Sequence, residues 1–274
     1  MKSSLRDTKE TQENGSSFIS RLATKWLGQK VIFFRELSST QDEIKKYVFT
    51  GPHGLVIWAD RQTQGRGRLC RKWHSPRAAG LYISLLLKES LVKPYPLYSL
   101  ATAVGVAQAL EEVVRIPFQL KWPNDVLLRG RKTGGILLEA VSHALVIGIG
   151  LNVSFRREDF PLEIREKATS IFEETGLLIS RARILRALLK RLEENYELLS
   201  EKGFTAIENE WCRRDISLGS RLVLRRGDQT LTGYSLGPAS DGALLLKTSR
   251  GVIKIHSGEI VMWEIPGWAS HRAA

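Results

Sequence analysis

Apolar residues in this chain come in short blocks that switch between a period of two and helical spacing, and the blocks alone predict a mixture of strands and helices. Val31-Ile-Phe-Phe34 reads as a buried strand that runs into Ser38-Ser39-Thr40. Thr40-Gln41-Asp42-Glu43 has the form of a capping box, so a helix is expected to start at Thr40 and turn Ile44, Tyr47 and Val48 toward a core. Residues 55–59 and 81–87 are two further strands joined by a long loop. From Leu97 to about Arg115 the apolar residues fall at helical spacing, and Ile116-Pro117 stops that helix. In Phe118-Gln-Leu-Lys-Trp122 a period of two puts Phe118, Leu120 and Trp122 on one face. Gln119 and Lys121 fall on the other, which in such a pattern is ordinarily the solvent face.

Pro123-Asn124-Asp125 is a turn, and residues 126–128 and 135–141 form the arms of a hairpin around Arg129-Gly-Arg-Lys132. Another apolar strand, 144–152, is interrupted by Gly148 and Gly150. Glycine weakens a strand unless a ligand or a neighbouring element approaches the backbone there, and both explanations stay open. Residues 181–202 carry one apolar helical stripe, and a second helix is expected near 204–212. From about Asp215 the texture changes to short apolar runs cut by glycines, the pattern of a small antiparallel barrel. The expected division is a tail over 1–17, a main domain over 18–214, a small β domain over 215–266 and a tail over 267–274.

Composition adds the environment. Of 274 residues 43% are hydrophobic and 26% charged, as in a folded soluble protein, and the net charge of +12 favours anionic partners. Two distant cysteines, Cys70 and Cys212, supply neither a disulfide framework nor metal-ligand spacing, which points to the reducing cytoplasm. No signal peptide or membrane span is expected; the stretch 94–110 comes nearest and carries two prolines.

The long loop is where chemistry concentrates. Between Arg61 and Lys88 there is no acid, while Arg66, Arg68, Arg71, Lys72 and Arg77 add cations between them. Gly65 and Gly67 are expected to let the backbone curl through positive φ, with arginines clamping phosphate or carboxylate and Trp73 offering a stacking face. Mutual repulsion should keep residues 64–72 mobile until an anion arrives. A nonspecific RNA-gripping segment is the competing reading of the loop taken alone.

In order, Ser39-Thr40-Gln41, Gly65-Arg-Gly-Arg68 with Trp73, Lys121-Trp-Pro-Asn-Asp125, Lys132 through Gly135-Ile-Leu137 to Glu139, and Gly148-Ile-Gly-Leu-Asn152 closely resemble the biotin-protein ligases, also called biotin-[acetyl-CoA-carboxylase] ligases. The resemblance runs from about Leu22 to Ile265. It implies an α+β fold with a central mixed sheet and flanking helices like class II aminoacyl-tRNA synthetases, followed by an SH3-like barrel. About 30 residues precede the first strand, too few for the DNA-binding domain of larger relatives, so the short type with no specific DNA partner is expected. Cys70 departs from the family, in which a glycine or other small residue is more frequent.

The family reaction would join biotin to ATP as biotinyl-5′-adenylate and then pass biotin to a lysine of a biotin carboxyl carrier domain. By resemblance Ser39, Thr40, Gln41 and Gln62 bind biotin together with Arg66, Gly67, Arg68 and Lys121. Arg66, Arg68, Arg71, Trp73, Lys121 and Asn152 bind ATP and the adenylate. Lys121 and Arg68 are the catalytic candidates, since an anionic nucleophile must meet a polyanion on fixed positive charge. Mg²⁺ is expected to come with ATP, and Asp125 is a candidate base for the acceptor lysine. Self-association as a homodimer is left open. A lipoate-protein ligase of the same fold and a nonenzymatic nucleic-acid-binding protein are the rival readings.

Overall fold

The computed structural model describes residues 22–88, 91–264 and 271–272. Its main unit is a seven-stranded sheet with the order β1-β2-β3-β7-β6-β5-β4. The strands are β1 (Val31–Phe34), β2 (Leu55–Ala59), β3 (Gly80–Leu87), β4 (Gln119–Lys121), β5 (Asp125–Leu128), β6 (Arg131–Val141) and β7 (Ala144–Asn152). Only β1 and β2 pair in parallel, so the sheet is mixed as expected. Five α-helices are described: α1 (Thr40–Lys45), α2 (Pro96–Val114), α3 (Ile171–Thr175), α4 (Arg181–Lys202) and α5 (Thr205–Cys212).

Alternation along β3 decides what each face carries. Leu81, Ile83, Leu85 and Leu87 join Ile147 and Ile149 of β7 in the large core under α2 and α4. Each such buried side chain contributes about 1.5–3 kcal/mol. The stripe Ile184, Leu185, Leu188, Leu189, Leu192, Tyr196 and Leu199 on α4 is buried, as its spacing predicts. Where α4 crosses α2, Gly105 makes room, since a Cβ there would lie 2.9 Å from Leu192 Cδ2. This explains why α2 is long and apolar enough to cross a membrane: 78% of that window is buried against protein.

On the opposite face α1 and the turn after it cover only part of the sheet, through Ile44 and Val48 on Ile57, Leu86 and Val146 and through Thr40 and Gln41 on Ser84 and Gly148. The next part of that face, around Gly150 and Gly135, is roofed by Trp73 of the loop joining β2 to β3. Lys121 is 3% exposed beneath this roof, so the solvent-face expectation for it is wrong. Period two identifies two faces but not what covers the second. The capping-box expectation also fails in detail: Ser39 occupies the N-cap without a side-chain cap bond, and the Thr40 hydroxyl is turned to Gln62 and Ser84.

The chain ahead of β1 is tied down by Glu193, a buried carboxylate of α4. It accepts the backbone N–H groups of Lys25, Trp26 and Leu27 at 2.7, 2.9 and 2.7 Å.

A second sheet of six antiparallel strands follows, in the order β11-β10-β9-β8-β12-β13. Its members are β8 (Arg221–Arg226), β9 (Gln229–Pro238), β10 (Leu244–Thr248), β11 (Gly251–Ile255), β12 (Glu259–Glu264) and β13 (His271–Arg272). Among the described residues its end strands do not pair, so the expected barrel is an SH3-like sheet that stays open. Bulges in β9 and β12 bend it. The tail expected over 1–17 lies outside the described residues, as does that over 267–274 except for β13. The sheet meets the main unit where Trp122 Nε1 donates to the Gly242 carbonyl at 3.1 Å.

Candidate active site

One line of register crosses the main sheet and sets the site. Ala59 lies opposite Tyr82, Tyr82 opposite Gly150, Gly150 opposite Gly135, Gly135 opposite Asp125, and Asp125 opposite Lys121. Directly opposed residues share a face, so Lys121 and Asp125 stand at one end of a trough floored by two glycines. A Cβ on Gly150 would lie 2.4 Å from Trp73 Cε2, and one on Gly135 would lie 3.1 Å from Trp73 Cζ3. The indole lies on this floor, with Lys132 Nζ 5.6 Å from its ring. At Gly148 a Cβ would meet Gln41 Oε1 at 2.6 Å. Neighbouring side chains of the protein itself, Gln41 and Trp73, are therefore the elements that approach these strand glycines.

Asp125 is buried between two lysines, with Oδ1 2.5 Å from Lys132 Nζ and Oδ2 3.6 Å from Lys121 Nζ. Burial pushes its carboxyl up, but Lys132 and Lys121 outweigh this and hold it below the ordinary carboxylate range. Burial pulls the Lys121 ammonium down, against the attraction of Asp125. A carboxylate held anionic with both oxygens in ion pairs is a poor proton acceptor, which does not favour Asp125 as the base for an acceptor amine. It holds two cations at the trough's end instead, Lys121 buried and Lys132 partly exposed.

At the other end lies a network of amides and hydroxyls. Gln62 Oε1 accepts from the Thr40 N–H at 2.8 Å and its hydroxyl at 3.1 Å, while Gln62 Nε2 donates to Ser75 Oγ at 2.9 Å. Gln41 Nε2 donates to the carbonyls of Leu137 and Val146, and Ser84 Oγ lies 2.9 Å from Thr40 Oγ1 and 3.1 Å from Gln41 Oε1. Ser39 differs, because its Oγ is buried with no partner among the described residues while the residue lines the pocket. An unpaired buried hydroxyl costs about 1–3 kcal/mol and points to a ligand that completes it.

The arginine loop is closed over the trough, but not by the expected curl. Gly65 and Gly67 do not take positive φ; Leu69 and Cys70 do, at 54° and 58°. Gly65 is needed for close approach, since a Cβ would lie 2.5 Å from the Trp73 carbonyl oxygen. Cys70 thus sits where glycine would be unstrained, which accounts for its standing out from the family pattern. The expected repulsion among the cations is met by carboxylates from other elements. Arg66 is paired with Asp42 and, at 3.1 Å, with Glu139. Arg71 holds Glu259 through both Nη atoms at 2.7 and 2.6 Å. Arg68, between them, is the more buried: Nη1 donates to Asn124 Oδ1 at 3.1 Å, and burial pulls its guanidinium below the ordinary value.

All the expected site residues, Ser39, Thr40, Gln41, Gln62, Arg66, Gly67, Arg68, Arg71, Trp73, Lys121 and Asn152, line this one pocket. Asn152 Nδ2 donates to the Thr169 carbonyl at 3.0 Å.

Comparison with known proteins accords with this geometry. A model described as the biotin/lipoate A/B protein ligase family matches residues 33–152, and one described as the biotin protein ligase C-terminal domain matches 217–263. The bifunctional ligase/repressor BirA of Bacillus subtilis (strain 168) is 37% identical over 246 residues, which span 87% of this chain and 76% of that protein. The chain belongs to the biotin/lipoate A/B protein ligase family. Within it, the biotin--[acetyl-CoA-carboxylase] ligase of Mycobacterium tuberculosis is 30% identical over 214 residues, covering 76% of this chain and 79% of its own. A biotin protein ligase from Aquifex aeolicus, solved in complex with biotin and ATP, superposes with a TM-score of 0.78 at 36% identity, over 89% of this chain and all of that one.

Some residues of this ligase-family chain at or behind the pocket are not among the expected site residues. Ser84 stands behind it, bonded to Thr40 and Gln41, and its one signal in the chain is a hydroxyl inside an otherwise apolar strand. Asn124 belongs to the family motif but to no expected role, yet its Nδ2 donates to the Ile136 carbonyl at 2.7 Å while its Oδ1 faces Arg68. Glu259 lies on the second sheet and carries no local signal of a role in the site.

Proposed function

We propose that this chain is an ATP-dependent biotin-protein ligase. It activates biotin as biotinyl-5′-adenylate and transfers the biotinyl group to a lysine of a biotin carboxyl carrier domain. The observation that carries this reading is the Lys121-Asp125-Lys132 cluster at the end of a glycine-floored trough, beneath a loop whose central arginine turns inward. A carboxylate oxygen of biotin attacks the α-phosphorus of ATP and pyrophosphate leaves; the acceptor amine then attacks the acyl carbon, loses a proton and releases AMP. Both substrates of the first step are anions, so fixed positive charge in a partly dry site supplies most of the stabilisation. Lys121 bridges carboxylate and α-phosphate, and Arg68 closes over both.

Ser39 offers its unpaired hydroxyl to the ureido group, and the Thr40-Gln41-Gln62-Ser84 network holds it in place. Trp73 presents its free face to adenine, whose edge Asn152 meets. Arg66 and Arg71 border the phosphates. Mg²⁺ is assigned to the phosphates of ATP: the described residues contain no group of three or more His, Cys, Asp or Glu suited to a metal, and the pocket carboxylates already face cations. Two free cysteines support work in the reducing cytoplasm. The repressor half of the Bacillus name is not extended to this chain, because ligation alone is what the site supports.

Lipoate activation is the second reading, since the family model embraces it. The match of residues 217–263 to a biotin protein ligase C-terminal domain favours biotin. Pyrophosphate release from ATP, with biotin or lipoate and no acceptor protein, tests both: release with biotin alone is expected, and release with lipoate alone would overturn the choice.

A further inference from the structure

The second sheet reaches the pocket at a single corner. Gly258, Glu259 and Ile260, where β12 begins, line it. The Glu259 carboxylate meets the arginine loop end-on, at 2.7 Å from Arg71 Nη1 and 2.6 Å from Nη2, and the Gly258 carbonyl lies 3.5 Å from Arg68 Nη2. This corner has little freedom. A Cβ on Gly258 would lie 2.6 Å from Leu224 Cδ2 and 3.1 Å from the Arg225 carbonyl oxygen, so β8 fixes where Glu259 stands. On the far flank Arg66 is held by Asp42 and Glu139. The loop is therefore pinned on both sides, with Arg68 between the pins.

We propose that Glu259 is a positioning residue for adenylation, holding Arg71 and with it the loop closed over the bound nucleotide. The role rests on the ligase reading above. A guanidinium carries five N–H groups, and the end-on pair with Glu259 uses two. Three remain to meet phosphate oxygens without breaking the clasp. Glu259 thus supplies direction, while Lys121, Lys132 and Arg68 supply net charge. The hydrogen bond to Arg71 is the first cause holding the Glu259 carboxyl below its ordinary value, and the same bond raises Arg71, so both stay charged at neutral pH.

The test compares the full chain with Glu259→Gln and with the exchanged pair Glu259→Arg plus Arg71→Glu. Two quantities are measured: the rate of tryptic cleavage after Arg68 and Lys72, and the KM for ATP in biotin-dependent pyrophosphate release. Glu259→Gln is expected to speed cleavage about three- to tenfold and to raise the KM by a similar factor with a smaller change in kcat. The exchanged pair should bring cleavage back toward the parent rate. Unchanged cleavage in Glu259→Gln would overturn the clasp, and faster cleavage with an unaltered KM would overturn its part in adenylation. A parent chain that releases no pyrophosphate with biotin would overturn the ligase reading and the positioning role with it, whereas unchanged cleavage in an active chain overturns the clasp alone. A melting curve for each variant separates loop opening from global unfolding, because opening leaves the midpoint in place.

Discussion

Replacing Asp125 by Asn tests the central electrostatic argument, because the change keeps shape and removes one charge. The Asp125 side chain is 13% exposed and faces two ammonium groups. Removing one member of a buried ion pair costs about 3–5 kcal/mol when the other cannot regain water. Here the lysines differ: the Lys132 side chain is 28% exposed and rehydrates, while that of Lys121 is 4% exposed and does not. The cost therefore falls mainly on Lys121, and about 2–3 kcal/mol is expected at pH 7 by urea unfolding. In the parent, Asp125 has a folded pKa below its unfolded one, so its contribution is complete above the ordinary carboxylate value and is lost as pH falls through the folded value. The stability gap between parent and Asp125→Asn should accordingly narrow under strongly acid conditions. Lys121 is already pulled down by burial and, without the attraction of Asp125, should lose its proton at lower pH. The alkaline limb of the adenylation profile is then expected to move toward neutrality. A variant within about 0.5 kcal/mol of the parent at pH 7, or one whose alkaline limb does not move, would refute the argument.

Lys121→Ala should abolish biotin-dependent pyrophosphate release while the chain stays folded, since Asp125 keeps Lys132; near-parental release by a folded variant would remove Lys121 from the mechanism. Gly150→Ala puts a Cβ 2.4 Å from Trp73 Cε2, so the indole must leave the trough floor. An increase of about tenfold or more in KM for ATP is expected, with roughly 1–3 kcal/mol of lost stability, and a normal KM would contradict the seat given to Trp73. Glu193→Gln weakens a carboxylate that accepts three backbone N–H groups, and a loss of about 1–3 kcal/mol in urea is expected with adenylation at 25 °C unaffected. A changed rate at full folding would mean that the segment before β1 reaches the site.

Much of this architecture is local enough to be legible in the chain. Val31–Phe34, Leu55–Ala59 and the hairpin around Arg129-Gly130 announce themselves through runs of β-branched or apolar residues and a two-residue turn whose members both take positive φ. What fails has a common cause, long-range covering. Periodicity alone gives Lys121 an ordinary solvent face, and only the family motif marks it for the ligand, because nothing in Phe118-Gln-Leu-Lys-Trp122 says that a loop some 50 residues earlier roofs that face. Likewise the arginine loop, read by itself, is a self-repelling cluster; its counter-charges come from Asp42, Glu139 and Glu259, each on a different element. Gly65 and Gly67 were recognisable as important but not why, since composition marks a glycine without distinguishing positive φ from close approach. The motifs found the pocket, whereas the partner of each polar group came only with the fold.

The line of register that runs from Lys121 through Asp125, Gly135 and Gly150 to Tyr82 makes the two-residue turn Arg129-Gly130 a ruler for the chemistry. Between that turn and Asp125 the ladder carries one extra residue, Thr133, since Val126 pairs with Gly134 but Leu127 with Lys132, and any further one-place slip moves every side chain of β5 to the other face. A residue inserted at this turn would leave every strand able to hydrogen-bond, yet would slide β5 past β6 by one place. Asp125 would then turn into the apolar layer against α2, and the trough would lose the charge at its end. In this fold, the count of residues between two strands is as much a part of the active site as the side chains that line it.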